Sequence, residues 1–456
     1  MENSMKKKIV SVVLAMSMVL AGCASEKGTD ATDAGTQQSM SDDSSKESSE
    51  TEASNAAVEG ESKNAEDASN AADSDSTEAK EEDGMSTEIV YPEIDLTAKD
   101  LPDNEAIAFI QDMKLGYNLG NTFDSYVDSG VSDDLTIETA WGNPKVTKEF
   151  ISAVHENGFE TIRIPVSWHN HVDDDLNINQ AWLDRVQEVV DYAVEEGMFV
   201  IVDIHHDNHP EAEGLYPDAE HKQQSLEYIE KIWTQVADRF KDYDEKLIFE
   251  GMNEPRLVGH NNEWWIDPNN EDCQEAIAII NELNQKFVDV VRASGGNNAE
   301  RYLMCPGYCA SPDGVLNDGF VIPTDSADNK IILSIHAYTP YNFALESPGI
   351  DNFTASSYTS TKDIDYFMDK IYSKYVSQGV PVLIGEGGCV DKNGNLQSRV
   401  DWASYYTAKA RSCGLTFVWW DNGQFSGNGE LFGLIDRRSG EVKYPEIMKA
   451  MLDNCN

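Results

Sequence analysis

The chain has 456 residues, of which 40% are hydrophobic and 25% are charged, so most of it can bury a core. It carries 34 basic and 82 acidic side chains, a formal net charge of −48 at pH 7. That imbalance argues against nucleic acid or an anionic lipid surface as a partner, because both require a basic face.

The N-terminus predicts an export signal with a lipid anchor. Lysines at 6–8 precede an apolar run at 9–20, roughly 12 residues long, which is typical of a signal peptide and too short to cross a bilayer. The run leads into a Leu-Ala-Gly-Cys tetrad that resembles the lipobox of bacterial lipoproteins. We therefore predict a signal peptide at 1–22, diacylglycerol on Cys23 and an outward-facing location in the cell envelope. Ordinary cleavage near Ala24, giving a secreted protein, is the alternative.

Residues 23–90 have the composition of a disordered linker. Positions 24–90 carry 19 acidic and 4 basic side chains, and the first aromatic residue of the chain is Tyr91. Such a segment cannot bury enough apolar surface to fold, because its hydrophobicity is low and its net charge is high. We predict a tether, with an acidic interaction tail as the alternative, followed by one folded domain at 91–456.

From Tyr91 onwards, short apolar runs alternate with amphipathic helical patterns. The apolar runs are 115–119, 161–166, 199–204, 247–252, 302–305, 331–335, 381–384 and 415–420. The helical patterns are 145–157, 180–196, 223–240, 273–293, 361–378, 398–413 and 444–453. Nearly continuous apolar strands alternating with helices are typical of parallel strands covered by helices. The pattern predicts an α/β fold, a single (β/α)8 TIM barrel.

An open doubly wound sheet is the alternative to this barrel. Such a sheet usually has a glycine-rich phosphate turn of the GxGxxG type after its first strand. The turn here is Gly-Tyr-Asn-Leu-Gly-Asn-Thr at 116–122, which lacks that spacing. The sequence therefore favours the closed barrel.

Two glutamates, Glu254 and Glu386, follow the fourth and seventh predicted strands. The carboxyl ends of barrel strands carry the active site, and glycoside hydrolysis needs two carboxyl groups there. One protonates the leaving oxygen, and the other is a nucleophile or a base. Arg163 and Tyr338 are expected to keep Glu386 ionised, and its charge is expected to raise the pKa of Glu254. A structural role for each glutamate is the alternative.

Eight short motifs follow one another in a fixed order between residues 107 and 452. They are 116–122, 138–144, 163–166, 205–206, 252–256, 336–338, 385–386 and 419–423. Together they resemble glycoside hydrolase family 5, the cellulase family of the large retaining (β/α)8 clan. The first two, with the segment 167–171, resemble the branch rich in β-glucan endo-hydrolases and xyloglucan-active members.

The resemblance implies a role for each matching residue. Glu254 is implied to be the acid/base and Glu386 the nucleophile of a double displacement with retention. The residues implied to bind substrate are Asn253 at the sugar 2-hydroxyl, His336 and Tyr338 beside the nucleophile, Arg163 with one or both of His205 and His206 at the central subsite, Trp420 beneath the reacting ring, and Asn121 and Asp124 at sugar hydroxyls. A neutral sugar ring needs such an apolar face below it and hydrogen-bonding groups around it.

The implied activity is endo-acting cleavage of β-1,4-glucosidic bonds in cellulose or a related β-glucan, by a monomer. Xyloglucan, mixed-linkage glucan and mannan are alternative substrates. A non-catalytic glycan-binding lipoprotein is the alternative from another class, but it would not need both Glu254 and Glu386. The His-rich segment 203–209 suggests a metal-dependent hydrolase. Because the first strand lacks a His-x-His motif, we predict neither metal nor cofactor.

Two groups of residues are left open by the sequence. Four tryptophans in predicted loops either line a cleft or pack against the body: Trp141, Trp168, Trp264 and Trp265. Six cysteines follow Cys23, and export permits disulfides while a barrel of this size does not require them. They are Cys273, Cys305, Cys309, Cys389, Cys413 and Cys455.

Overall fold

The computed structural model describes residues 88–127, 135–208, 214–427 and 429–456. The predicted signal peptide, Cys23 and the linker up to residue 87 lie outside the described residues. In this part of the chain, none of the helices has both the length and the apolar character required to cross a bilayer.

Eight parallel strands of the described chain close into a barrel in sequence order, with β8 pairing back to β1. They are β1 Leu115–Leu119, β2 Thr161–Ile164, β3 Phe199–Asp203, β4 Leu247–Glu250, β5 Leu303–Pro306, β6 Ile331–His336, β7 Val382–Gly387 and β8 Thr416–Asp421. Every strand residue is buried, because helices cover the outside and side chains fill the inside. The predicted (β/α)8 barrel is confirmed.

Ten α-helices occur in the described residues, and seven of them correspond to the predicted ones. They are α1 Glu105–Asp112, α2 Lys148–Glu156, α3 Gln180–Glu195, α4 Lys222–Phe240, α5 Glu271–Ala293, α6 Pro312–Leu316, α7 Tyr341–Ala344, α8 Tyr358–Lys374, α9 Leu396–Ser412 and α10 Pro445–Leu452. The additional helices are α1 and the short α6 and α7.

Local sequence sets several helix ends. The side chains of Asn179 and Asn270 accept hydrogen bonds from the first-turn N–H groups of α3 and α5. Gly158 and Gly197, just beyond α2 and α3, have φ of +96° and +81°. Glycine adopts this left-handed conformation without steric cost, so each of these helices ends and the chain turns into the next strand.

Helix α1 closes the apolar interior of the barrel. Its buried residues Ala106 and Ile110 form one cluster with inward-facing strand residues. The strand members of this cluster are Phe199, Ile201, Ile248, Met304, Ile332, Leu383 and Val418. A separate, larger apolar cluster lies between the barrel and the surrounding helices.

Strand β7 is irregular where it carries Glu386. Its pairing with β6 shifts register between Ile335 and His336, and its pairing with β8 shifts between Ile384 and Gly387. The shift places Glu386 opposite His336. Irregular pairing of this kind re-aims a side chain and is frequent beside active sites.

Candidate active site

The carboxyl ends of the strands bring buried polar side chains together. They are Asn118 from β1, Arg163 from β2, Asp203 from β3, Glu250 from β4, His336 from β6 and Glu386 from β7. Asn253 and Glu254 follow β4 directly. Charged groups are costly to bury, so this arrangement requires compensating partners.

Arg163 supplies those partners to three carboxylates at once. Its Nε lies 2.6 Å from Glu250, its Nη2 2.7 Å from Asp203 and its Nη1 2.7 Å from Glu386. The guanidinium also donates to the side-chain oxygens of Asn118 and Asn253, at 3.0 and 2.8 Å. All the contacts are in hydrogen-bond range, so the charged network is satisfied despite its burial.

Glu386 receives one donor on each carboxylate oxygen. Arg163 donates to Oε1 at 2.7 Å, and the hydroxyl of Tyr338 donates to Oε2 at 3.0 Å. Burial, together with the charges of Glu386 and Glu254, raises the pKa of the Tyr338 phenol well above its usual value, so it remains a donor. The flanking Gly385 leaves room for the ring of His336, because an added Cβ would lie 3.2 Å from His336 Nε2.

Glu254, His336 and Glu386 form one compact group. His336 Nδ1 lies 2.9 Å from Glu254 Oε1 and 3.6 Å from Glu386 Oε2. One carboxylate oxygen of each glutamate and one ring nitrogen of His336 all lie within 4.8 Å of one another. The two glutamates therefore face each other across a gap that fits a single glycosidic bond between them.

The protonation of this pair differs from the sequence-based expectation. Burial opposes ionisation of Glu254, but the hydrogen bond from His336 and the charges of His336 and Arg256 lower its pKa to about 2. Burial raises the pKa of Glu386, and the charge of Glu254 adds to this against His336 and Arg163. The expected order of the two pKa values was wrong for the unliganded protein, because the expectation placed Arg163 and Tyr338 beside Glu386 but neither His336 nor Arg256 beside Glu254.

His336 holds a proton beside both carboxylates. Burial disfavours its cation, but the charges of Glu386 and Glu254 outweigh burial and raise its pKa above the usual value. Its Nε2 has no hydrogen-bond partner among the described residues and lies 3.9 Å from Glu250 Oε1. The proton on Nδ1 is therefore available to the carboxylate of Glu254.

His205 and Trp420 form parallel faces beside this group. Their ring planes differ by 1° and their centroids lie 5.8 Å apart. His205 Nδ1 is 2.7 Å from Asp203, and burial and the charge of Arg163 lower the pKa of His205 well below its usual value. A neutral His205 that donates from Nδ1 leaves Nε2 as an acceptor.

Asp124 lies in a different environment from the one expected. It is fully buried, and its carboxylate accepts hydrogen bonds from the backbone N–H groups of Asn121 and Thr122, at 2.9 and 2.5 Å. Asp124 thus stabilises the turn in which Asn121 has φ of +54°. The ring of His206 lies beside it, with Nε2 3.9 Å from Asp124 Oδ2.

Asp124, His205 and His206 also present atoms of the kind that bind a divalent cation, within 4.8 Å of one another. Two of these side chains already have protein partners, as described above. The trio therefore fits a hydrogen-bonded wall of the site, and a chelator assay discriminates the metal-dependent alternative.

Several residues of the recognised motifs have structural roles. The amide of Asn143 donates to the carbonyl oxygens of Asn121 and Asn422, at 2.9 and 3.0 Å, which joins the loops after β1 and β8. Glu138 pairs with Arg185 at 2.8 Å. Gly120 lets Trp420 approach, because an added Cβ would lie 2.7 Å from its ring.

Glu250 and Asp203 belong to the site although neither lies in one of the recognised motifs. Glu250 accepts hydrogen bonds from Arg163 Nε and Ser334 Oγ, each at 2.6 Å. The available signal was a carboxylate inside the apolar run Leu-Ile-Phe-Glu, since an ionisable group in a fully buried strand needs a partner.

The structure shows where the four loop tryptophans lie and whether the six cysteines are paired. Trp168 is fully buried and belongs to the core, and Trp141 lies 5.5 Å from the ring of His206. Trp264 and Trp265 are more than half exposed in the loop after β4. The six cysteines from Cys273 onwards are buried free thiols in the described chain.

Residues 129–426 match the family described as Cellulase (glycosyl hydrolase family 5). The chain belongs to this family. The match covers the carboxyl ends of β2 to β8 and both glutamates whose geometry is described above, while β1 and the turn after it precede the matched residues.

Relatives in the cellulase family are endoglucanases. Over 353 residues, the chain is 42% identical to endoglucanase B of Neocallimastix patriciarum, which covers 75% of this chain and 70% of that protein. Over 380 residues, it is 39% identical to endoglucanase B of Ruminococcus albus, covering 83% and 85%. The 41% identity with cellulase/esterase CelE of Acetivibrio thermocellus covers 78% of this chain but 41% of CelE, so the chain spans less than half of that protein.

Solved structures of the same family share the fold. A lichenase of family 5 from Caldicellulosiruptor sp. F32, as a mutant in complex with cellotetraose, is 53% identical with a TM-score of 0.79, covering 81% of this chain and 100% of that chain. XEG5A, a xyloglucan-specific endo-β-1,4-glucanase from a metagenomic library, is 36% identical with a TM-score of 0.69, covering 76% and 98%. This family 5 protein is an endo-acting β-glucan hydrolase.

Proposed function

We propose that this family 5 enzyme cleaves β-1,4-glucosidic bonds with retention, by double displacement. The observation that carries the proposal is that a carboxylate oxygen of Glu254 lies within 4.8 Å of a carboxylate oxygen of Glu386. Retaining enzymes place the two carboxyl groups about 5–5.5 Å apart, whereas inverting enzymes separate them by roughly 6.5–9.5 Å to admit a water.

In the first half-reaction, Glu386 attacks the anomeric carbon and Glu254 gives its proton to the departing glycosidic oxygen. The carbon–oxygen bond breaks, and an ester forms between the sugar and Glu386. Arg163 and Tyr338 orient the attacking carboxylate through the hydrogen bonds at 2.7 and 3.0 Å. In the second half-reaction, Glu254 takes a proton from water, whose oxygen displaces Glu386 and restores both carboxyl groups.

Asn253 and Trp420 are proposed to stabilise the sugar during both steps. The side-chain oxygen of Asn253 already accepts from Arg163 at 2.8 Å, which leaves its amide N–H groups to donate to the sugar 2-hydroxyl. Trp420 offers an indole face for the apolar side of the ring. Hydrogen bonds to the 2-hydroxyl that strengthen in the transition state contribute to the rate.

We propose soluble β-1,4-containing glucans, including mixed-linkage glucan, as the substrates. The lichenase at 53% identity supports mixed-linkage glucan, and the xyloglucan-specific relative at 36% supports tolerance of branches. The net charge of −48 favours neutral over anionic chains, because like charges repel at a distance. We expect activity on barley glucan to exceed that on carboxymethylcellulose, with added salt narrowing the difference.

We also propose that the enzyme is monomeric and held outside the cell membrane by a lipid on Cys23. The Leu-Ala-Gly-Cys tetrad and the acidic segment after it support a tethered catalytic domain.

Product stereochemistry tests the mechanism. Proton NMR during hydrolysis of cellotetraose should show the β-anomer first, and initial α-anomer would overturn retention. Glu386→Gln should abolish turnover of barley glucan, xyloglucan and glucomannan, while the variant should still unfold in a cooperative thermal transition. The exposed Glu441→Gln is the control and should retain full activity. Activity of Glu386→Gln near the wild-type level would refute the nucleophile assignment.

A further inference from the structure

Arg256 connects the acid/base to an exposed aromatic ring in the loop after β4. Its Nη1 donates to the carbonyl oxygen of Glu254 at 3.1 Å and lies 3.6 Å from Glu254 Oε2. Its Nε pairs with Glu263 at 3.2 Å. The guanidinium carbon lies 4.0 Å from the ring centroid of Trp264. One side chain thus touches the carboxylate and covers a tryptophan face.

The covered ring is the kind of surface on which a sugar stacks. Trp264 is 55% exposed, although the guanidinium lies over it. A pyranose ring and a guanidinium use the same indole face at similar distances. A glucosyl unit that stacks on this face therefore has to displace Arg256, and the displaced charge moves away from Glu254.

The backbone of this loop is held in place, so a displacement of Arg256 is confined to its side chain. The hydroxyl of Tyr308 accepts from the Leu257 N–H at 3.2 Å and donates to the Asn262 carbonyl at 2.8 Å. Glu263 also accepts from the Gly259 N–H at 2.9 Å. Sugar binding is therefore expected to rearrange the Arg256 side chain and leave the loop backbone where it is.

The chemistry of retention requires Glu254 in two opposite states. It must carry a proton while the leaving sugar occupies the aglycone side, and it must be ionised after that sugar has left, when it activates water. A positive charge that is present beside Glu254 only when the aglycone side is empty satisfies both requirements.

We propose that Arg256 is a positioning residue that switches Glu254 between acid and base, because a sugar stacked on Trp264 displaces it and departure of that sugar returns it. This inference rests on the retaining mechanism proposed above. In the first half-reaction the proton on His336 Nδ1, 2.9 Å away, is shared with Glu254, which passes it to the glycosidic oxygen. In the second, Glu254 recovers a proton from water.

Arg256 is one of several charged or titratable groups that face Glu254. The others are His336 from β6 and Tyr338 just after it, Glu386 from β7, His205 and His206 from the end of β3, Cys309 from the loop after β5 and Glu430 from the loop after β8. Each of the other groups comes from the end of a different strand or makes no contact with an exposed ring in its own loop. Arg256 lies in the loop after β4 and contacts an exposed ring of that loop, Trp264. This is why Arg256 is the group that a bound aglycone can move.

The pH dependence of two kinetic constants tests the switch. For cellotetraose, kcat/KM reports the free enzyme and kcat the substrate complex. We expect the basic limb of kcat to lie roughly 1 to 3 pH units above that of kcat/KM in the wild type, since an opposite charge at this distance has an effect of that size. In Arg256→Gln the two limbs should coincide, and in Arg256→Lys, which keeps the charge, they should stay apart.

A second substrate reads the base role of Glu254 directly. With dinitrophenyl β-cellobioside the leaving group needs no proton, so a burst shows that the second half-reaction limits turnover. The acid limb of this turnover rate should move up by roughly 1 to 3 pH units in Arg256→Gln. The control Trp265→Ala alters a neighbouring ring of 54% exposure and should leave the limb in place.

The outcomes separate this inference from the proposed function. Coincident limbs in the wild type, or an Arg256→Gln variant whose limbs match the wild type, would overturn the switch. A loss of activity in Arg256→Gln that is equal at every pH would show a merely structural role and would also overturn it. With dinitrophenyl β-cellobioside, turnover is limited by the second half-reaction. If the acid limb of that turnover rate persists in Glu254→Ala, Glu254 is refuted as the acid/base, and the proposed function with it.

Discussion

A single guanidinium group, that of Arg163, is shared by three buried carboxylates. Removing one partner of a buried ion pair costs roughly 3–5 kcal/mol, because the remaining charge loses its compensation. Two of its partners, Glu250 and Asp203, do not have to touch the substrate to influence its cleavage. They fix the guanidinium, which in turn holds the carboxylate of Glu386 at 2.7 Å.

Glu254→Gln should separate the acid role from the rest of catalysis. We expect kcat/KM on barley glucan to fall roughly 100- to 10,000-fold, the usual contribution of a general acid. The first half-reaction with dinitrophenyl β-cellobioside, followed as a burst, should stay near the wild-type rate because that leaving group needs no proton. Equal loss on both substrates would contradict the assignment.

Glu250→Gln should lower kcat more than it raises KM. The amide keeps the shape of the side chain but removes the charge that faces Arg163 Nε at 2.6 Å, so the orientation of Glu386 suffers. Steady-state kinetics on xyloglucan or barley glucan measures this. The surface control Glu195→Gln, whose carboxylate pairs with Lys148, should change stability by less than about 0.5 kcal/mol. Unchanged kcat in Glu250→Gln would contradict the positioning role.

At the scale of elements, β1 and β8 and the loops after them act as one unit. The strands pair along five residue positions, from Leu115 opposite Phe417 to Leu119 opposite Asp421. Asn143 ties the following loops together, and Gly423, with φ of +70°, allows this because an added Cβ would lie 2.2 Å from the Asn143 side chain. This unit sets the position of Trp420.

Gly120→Ala should displace Trp420 and impair sugar binding. The new Cβ would lie 2.7 Å from the Trp420 ring, and the rigid indole has to shift to accommodate it. We expect a raised KM on cellotetraose together with a loss of stability of roughly 1–3 kcal/mol from overpacking. Gly429→Ala, where the described residues place no atom within 4 Å of the added Cβ, is the matched control. Wild-type KM in Gly120→Ala would show that Trp420 does not depend on this contact.

At the scale of the whole molecule, the strongly acidic composition and the buried acid groups both link stability to pH. Burial of Asp124 raises its pKa to about 7 against the backbone hydrogen bonds that lower it. Folding therefore favours its protonated form. This contribution to the free energy of unfolding is complete below the ordinary carboxyl pKa of about 4 and is lost as the pH rises towards about 7.

Asp124→Asn should remove this part of the pH dependence. Between pH 4 and 7 the wild type should lose up to about 1.4 kcal/mol per pH unit relative to the variant, since one proton is bound in the folded state alone. Urea unfolding at several pH values measures the difference. Asp173→Asn is the control, because the hydrogen bond from Asn177 lowers the pKa of this exposed group instead. Parallel curves for wild type and Asp124→Asn would contradict the prediction.

Cys23→Ser should release the enzyme from the membrane fraction without changing its activity on soluble glucan. The thiol is the proposed point of lipid attachment, and the barrel begins far along the chain, at Leu115. Immunoblotting of membrane and soluble fractions measures the distribution. Ser44→Ala, in the acidic segment, should remain with the membrane. A Cys23→Ser variant that still partitions with the membrane would place the anchor elsewhere.

The sequence by itself determined the barrel and the two glutamates, because both depend on local patterns. Buried parallel strands are read as apolar runs, and strand ends carry the motifs that include Glu254 and Glu386. Helix α1 escaped prediction, since eight residues give little periodicity and its value lies in closing the barrel interior.

Only the tertiary structure decided how the charges are distributed at the site. The contact that controls Glu254 comes from His336, 82 positions away, and the burial of Asp124 depends on the loops packed around it. Desolvation and charge proximity act through space, so spacing along the chain does not reveal them. The fold class was therefore readable from the order of residues, while the protonation of the catalytic pair required the distances between them.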